Sequence, residues 1–209
     1  MGLILKELGN KKEAKGKLEE SVRLCDEIGN KGQKAMSLNT LGLILKELGN
    51  KKEAKGKLEE SVRLCDETGN KGQKAMSLNT LGLILKELGN KKEAIKKFEE
   101  SVRLCDETGD KGSKAMCLNT LGGLLIYMPE PDYSKAKEIC KEALSLAMDN
   151  RTKDTALNYL VKIYEIGFND YVTAYKYCEK RRTVASKEYK TKISEDCKRL
   201  KVLIEKEKQ

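Results

Sequence analysis

The chain has no histidine and no tryptophan, and only two prolines and two phenylalanines among its 209 residues. Without histidine the commonest general base is missing, and so is the commonest metal ligand. The seven cysteines do not replace it, because no two of them stand at Cys-x-x-Cys spacing. No glycine-rich loop of phosphate-cradling form is present. Glu59-Glu60 and its copies are adjacent surface charges, not a placed acid–base dyad. The expectation is a protein that is not an enzyme, with no cofactor and no metal.

Long apolar runs are also absent. No stretch of about 18 apolar residues exists, so no membrane-spanning helix is expected. The N-terminus lacks the basic, apolar and small-residue succession of a signal peptide. Cysteine usage fits the same picture, since the number is odd and Cys25, Cys65 and Cys105 are copies of one position. These three are expected to be small buried hydrophobes, and the chain is expected to be cytoplasmic.

Charge is plentiful. Asp, Glu, Lys and Arg make up 36% of the chain, and the formal net charge is +9. It is unevenly spread: residues 151–209 hold fifteen Lys and Arg against nine Asp and Glu. Helix formers dominate and long β-branched runs are missing, so the fold class is all-α.

A 40-residue unit is written twice almost unchanged, over residues 36–75 and 76–115, and residues 1–35 are the tail of a third copy. A period of this size means stacked units without one closed core. Within a unit, Leu38, Leu41, Leu45 and Leu48 form one helical stripe, and Ala54, Leu58, Ser61, Val62 and Cys65 form a second. Gly49 and Gly69 stop the two helices. Asn50, with Glu53 three residues on, and Asn70, with Gln73, read as caps that restart the chain. The same stops recur at Gly9, Gly29, Gly89 and Gly109.

The fourth unit keeps Leu118, Leu121 and Gly122, with a longer turn carrying Pro129 and Pro131. The fifth has Leu157, Leu160 and Tyr164, then Ala174 and Cys178. A last amphipathic helix carries Ile193, Cys197, Leu200 and Ile204. The boundaries expected are units at about 1–35, 36–75, 76–115, 116–152 and 153–188, then a capping helix over 189–209. Met1 falls where Leu41 stands in the next copy. Leu3, Ile4 and Leu8 are therefore expected at an uncovered end, open to self-association.

Gly42 lies in mid-helix, where glycine costs about 1 kcal/mol relative to alanine. Its recurrence argues for close helix–helix approach. Gly56 is replaced by Lys96 in the next copy and has no such role.

The pattern Leu38-x2-Leu41-Gly42-x2-Leu45…Ala54-x3-Leu58 resembles the tetratricopeptide-repeat signature W-x2-L-G-x2-Y…A-x3-F. The copy Leu78-x2-Leu81-Gly82-x2-Leu85…Ala94-x3-Phe98 is nearer still. The aromatic positions are mostly Leu, and the period exceeds the usual 34 residues by six, or roughly 9 Å of helix. Long repeats of this kind resemble those of Pins-type adaptors, kinesin light chains and Rap-type regulators.

The resemblance implies a right-handed α-solenoid of antiparallel helix pairs with a concave groove lined by the first helices. Near that groove fall Asn39, Asn79, Asn119 and Asn158, one on each of four first helices, with Met36, Met76, Leu43, Leu83, Lys46 and Lys86. An asparagine side chain offers both donors and an acceptor, so it can clamp the backbone of an extended peptide. It can equally bind a neighbouring helix of the stack. Thr40 and Leu43 stand where carboxylate-clamp members carry Asn, so capture of a peptide C-terminus is not implied.

The leading function is a protein-interaction scaffold binding a partner peptide. A second reading is nucleic-acid binding through Lys180-Arg181-Arg182, Lys187, Lys190 and Lys192 with Tyr175, Tyr177 and Tyr189 nearby. A third is an engineered or truncated array prone to self-assembly, because near-identical copies permit register slips.

Overall fold

The computed structural model describes residues 10–207. The chain divides into two compact units, with the boundary between Asp110 and Lys111. The first holds α1 (Lys11–Glu27), α2 (Lys31–Glu47), α3 (Lys51–Thr68), α4 (Lys71–Glu87) and α5 (Lys91–Thr108). The second holds α6 (Lys111–Ile126), α7 (Tyr133–Leu146), α8 (Asn150–Lys162), α9 (Tyr171–Val184) and α10 (Lys187–Lys206). No strand occurs among the described residues.

Turn chemistry sets the helix lengths. Gly49 and Gly69 adopt φ of 85° and 69°, a left-handed backbone that a side chain would resist. Past each glycine the chain folds back on the helix end. The Asn50 N–H donates to the Leu45 carbonyl at 2.8 Å, and the Asn70 N–H to the Cys65 carbonyl at 3.0 Å. These bonds use carbonyls the helix would otherwise leave open.

Caps at the next helix differ by turn. Asn30 and Asn70 each accept the N–H three residues on, from Gln33 and Gln73, at 3.0 Å. Asn50, expected to cap in the same way, makes no side-chain cap bond. Its ψ is 56°, against 81° and 83° at Asn30 and Asn70, and Asn90 repeats the 56°. The tighter backbone turns the amide away, so α3 and α5 start on backbone bonds alone.

In the first unit each helix packs on the next, and α2 also touches α4. Leu38, Leu41, Ile44 and Leu45 of α2 and Ala54 and Leu58 of α3 are fully buried. A Cβ built on Gly42 would lie 2.8 Å from Leu58 Cγ, and one on Gly82 would lie 2.5 Å from Phe98 Cε1. The missing side chain is thus space that the partner helix fills.

A hydroxyl relay crosses three helices of this unit. Gln73 Nε2 donates to Ser77 Oγ at 3.3 Å, Ser77 Oγ pairs with Ser61 Oγ at 2.8 Å, and Ser61 donates to the Ala35 carbonyl at 2.7 Å. Lys34 of α2 bridges α1 and α3 from outside. Lys34 Nζ lies 2.7 Å from both Asp26 and Glu60. Those contacts hold its ammonium above the ordinary lysine range, hydrogen bonding to Asp26 being the largest cause.

The outer face of α1 is less covered than its copies. Leu24 is 46% exposed, where Leu64 and Leu104 are each 4% exposed. The expected open end at Leu3, Ile4 and Leu8 lies outside the described residues.

The second unit departs from the repeat twice. Asp132 caps α7 after the proline turn, accepting the Lys135 N–H at 2.8 Å. α8 runs on into a π-helical turn, Ile163–Gly167, and the chain then passes through Asn169 at φ 52°. Arg199 of α10 pairs with Glu165 of that turn.

α10 buries Ile193, Cys197 and Leu200 against Val161, Ala174, Cys178 and Ala185. Cys178 and Cys197 form a disulfide across α9 and α10, Cα to Cα 5.8 Å. In the sequence both cysteines read only as members of apolar helix stripes. The two residues sit 19 apart and belong to no shared repeat position, so spacing gave no sign of it.

Candidate functional site

Met36, Asn39, Leu43 and Lys46 are spaced i, i+3, i+7 and i+10, which puts them on one face of α2. Met76, Asn79, Leu83 and Lys86 repeat that face on α4. The methionines are half exposed, Met36 at 47% and Met76 at 50%, while Leu43 and Leu83 are half-buried. Lys86 is exposed. Lys46 is drawn across to Glu87, Nζ to Oε1 3.2 Å, and Lys51 reaches the same carboxylate at 3.2 Å. Burial would raise the Glu87 carboxyl, but hydrogen bonds from Lys51 and then Lys46 outweigh it and hold it below the usual range.

The asparagines lie deeper than the methionines. Asn39 is buried and Asn79 half-buried. In the second unit Asn119 on α6 is buried and Asn158 on α8 half-buried. The Asn119 amide nitrogen donates to the Thr152 carbonyl of α8 at 3.0 Å. A carbonyl accepts only from a donor, so this bond fixes which way the amide points. Its oxygen then faces away. The Oδ1 atoms of Asn39, Asn79 and Asn119 are all buried without a hydrogen-bond partner. A buried acceptor left open costs about 1–3 kcal/mol. Three equivalent ones on successive first helices call for a physical account.

Lys180, Arg181 and Arg182 are engaged within the unit, while Lys187, Lys190 and Lys192 are exposed. Arg181 Nε lies 2.9 Å from Asp154 and Arg182 pairs with Glu179 at 2.8 Å. Lys180 and Lys201 stand over the rings of Tyr177 and Tyr175, at 5.5 and 5.2 Å from the centroids.

With this geometry in place, comparison with known proteins is informative. A tetratricopeptide-repeat profile matches residues 75–108. Residues 75–108 are thus identified as a tetratricopeptide repeat. A second profile, that of anaphase-promoting complex subunit 5, matches residues 31–77. No curated protein sequence matches significantly.

Among solved structures the tetratricopeptide-repeat chain resembles BtubC (BKLC) from P. vanneervenii, at 17% identity and a TM-score of 0.76, over 88% of this chain and 76% of that one. It also resembles a putative kinesin light chain with nearly identical TPR-like repeats from Podosopora anserina, at 17% identity and TM-score 0.69, over 91% and 92%. A third likeness is MamA from Desulfovibrio magneticus RS-1, at 18% identity and TM-score 0.62, over 88% and 90%. At these identities the likeness speaks for the fold.

Tetratricopeptide-repeat proteins act in general as non-enzymatic protein-interaction scaffolds. No helix of the described residues is long and apolar enough to cross a membrane. Sequence reasoning missed two features around the candidate face. The serine relay was hidden because Ser61 and Ser77 belong to different helix stripes. The depth of the asparagines was hidden because helical spacing gives a direction but not a depth.

Proposed function

We propose that the chain is a cytoplasmic interaction scaffold that binds an extended partner peptide along its first helices. Met36, Asn39, Leu43 and Lys46 of α2 and Met76, Asn79, Leu83 and Lys86 of α4 carry the contacts in the first unit. Asn119 and Asn158 are the corresponding positions in the second. One observation supports this above others: three ladder asparagines keep an acceptor without a partner. A peptide backbone presents an N–H at each residue, which is the donor these oxygens lack. The oxygens are shut from solvent, so the peptide engages them as the methionines one turn away swing aside. Methionine has the rotatable bonds for that.

The test is a peptide array probed with the full chain, followed by titration of the best binder. Asn79→Ala with Asn119→Ala should weaken that binder about tenfold, the worth of one to two lost hydrogen bonds. Far-UV circular dichroism should stay unchanged. Equal affinity in the double variant would make the ladder purely structural.

A further inference from the structure

The Cys178–Cys197 pair stands apart from the other cysteines. Cys25, Cys65, Cys105, Cys117 and Cys140 are buried thiols on the repeat helices. Burial pushes the Cys140 thiol up to about 12, so it is unreactive near neutral pH. Cys178 and Cys197 instead face each other across the last two helices, at a separation a disulfide spans without moving the backbone.

The position gives the pair a mechanical role. In the repeats before it, the residue four after the small alanine of the second helix fills the space over a glycine. Leu58 does so over Gly42, Phe98 over Gly82 and Cys140 over Gly122. In the last hairpin the glycine position is Val161 and the filling residue is Cys178, in one cluster. The filler is a cysteine, as in the unit before, but it now faces a valine. The shorter Cys178 leaves its sulfur directed at α10, where Cys197 stands between the buried Ile193 and Leu200.

The same site also accommodates the open form. Cys178 Sγ lies 3.5 Å from the Ile193 carbonyl, so a free thiol there has a ready acceptor. Other contacts keep α10 in place when the bond is open. Arg199 pairs with Glu165, Lys201 sits over Tyr175, and Ile193 and Leu200 stay in the core.

We infer that Cys178 and Cys197 form a redox-controlled latch on the terminal helix. Closed, it ties α10 over the apolar end of the second unit. Open, it leaves α10 held only by packing, the Arg199–Glu165 pair and the Lys201–Tyr175 contact, so that the helix lifts more readily and uncovers Val161, Ala174 and Ala185. The oxidant class is a small-molecule disulfide. One protein thiolate attacks it and expels a small thiol, forming a mixed disulfide. The second thiolate then attacks the protein sulfur of that intermediate, closes the Cys178–Cys197 bond and expels the second small thiol. Two electrons pass to the small disulfide, and the two protons end on its sulfurs. Reduction by excess small thiol runs the same steps backwards. In an oxidising compartment a pair like this stays shut, whereas in a reducing one it answers to the local poise.

The experiment uses the full chain equilibrated with oxidised or reduced glutathione. Thiols are counted after denaturation with a maleimide mass tag, and hydrogen exchange is read across residues 187–206. Oxidised protein should take five tags and reduced protein seven. Cross-linking a loop of this length shifts the closing equilibrium roughly a hundredfold, so amides of α10 should exchange about that much faster in the reduced protein. Amides of α2 to α5 should not change.

Cys197→Ser, with six cysteines left, should show the α10 exchange of the reduced wild type in both glutathione states. If that variant fails to fold, the reduced and oxidised wild-type chains still decide the matter. Seven tags after oxidation, or equal α10 exchange in both states, would overturn the proposal. So would a bond that excess reduced glutathione leaves intact, since a permanent staple is not a latch.

Discussion

The glycine–filler pairs make a quantitative prediction. Alanine at an unhindered mid-helix glycine gains about 0.5–1 kcal/mol, because the unfolded chain loses freedom and the helix gains a better former. Gly56 is such a site: it is exposed in α3, and a Cβ there meets nothing within 4 Å. Gly56→Ala should therefore stabilise. Gly82→Ala starts with the same gain and then meets Phe98, with Cε1 at 2.5 Å and Cδ1 and Cζ at 2.8 Å. Carbon atoms rest at about 3.5–4.0 Å, so the overlap approaches 1 Å on three ring atoms. Phe98 is fully buried and rigid, and has no free end to bend. Overpacking of this kind costs about 1–3 kcal/mol. The net effect is a loss of up to about 2 kcal/mol, a fall of roughly 4–8 °C in Tm for a chain this long.

Gly42→Ala should cost less, because it meets the branched end of Leu58 at 2.8 Å and beyond. Thermal unfolding followed by circular dichroism orders the three variants: Gly56→Ala above wild type, Gly42→Ala below it, Gly82→Ala lowest. Phe98→Leu combined with Gly82→Ala should recover part of the loss, a coupling of about 0.5–3 kcal/mol. If Gly82→Ala raises Tm as Gly56→Ala does, the close-approach argument is refuted.

Three further outcomes follow from the contacts. Ser61→Ala breaks the relay at its centre, leaving Ser77 and the Ala35 carbonyl each one bond short, and should cost about 1–3 kcal/mol in urea unfolding. The depressed Glu87 carboxyl contributes stability that is complete above its unfolded pKa and is lost as pH falls through its lower folded value. Tm should therefore drop on acidification, and Glu87→Gln should make that drop shallower. Leu24→Ala should cost much less than Leu64→Ala, because only the latter removes a buried side chain, and denaturant midpoints would compare them directly.

How much of this was legible in the sequence depended on whether a feature is local. Helix ends were legible because a left-handed turn needs glycine, and Gly49 and Gly69 declare it within one residue. The cap at Asn50 was not, since a change of about 25° in one ψ separates it from Asn30 and Asn70 in an otherwise similar motif. Repetition hid as much as it disclosed. Asn39 and Asn79 agree because the unit was copied, and the copy carries no record of which atom of the amide does the work. Asn119, in a diverged unit, was the more telling witness. Its bond to Thr152 assigns the nitrogen to the stack and leaves the oxygen for something else.

The disulfide marks the opposite limit. Cys178 occupies the position of Leu58, Phe98 and Cys140 in earlier units, where the filler packs over a facing glycine. Cysteine already fills that position over Gly122, as Cys140, and a cysteine fills it again where Val161 replaces the glycine. Packing thus explains a cysteine at 178, but alanine would have packed as well. What packing does not explain is a second cysteine at 197, on a helix outside the repeat, at bonding reach of the first. A chain that needed only volume there had many residues available, so the pairing is better explained by its chemistry than by its size.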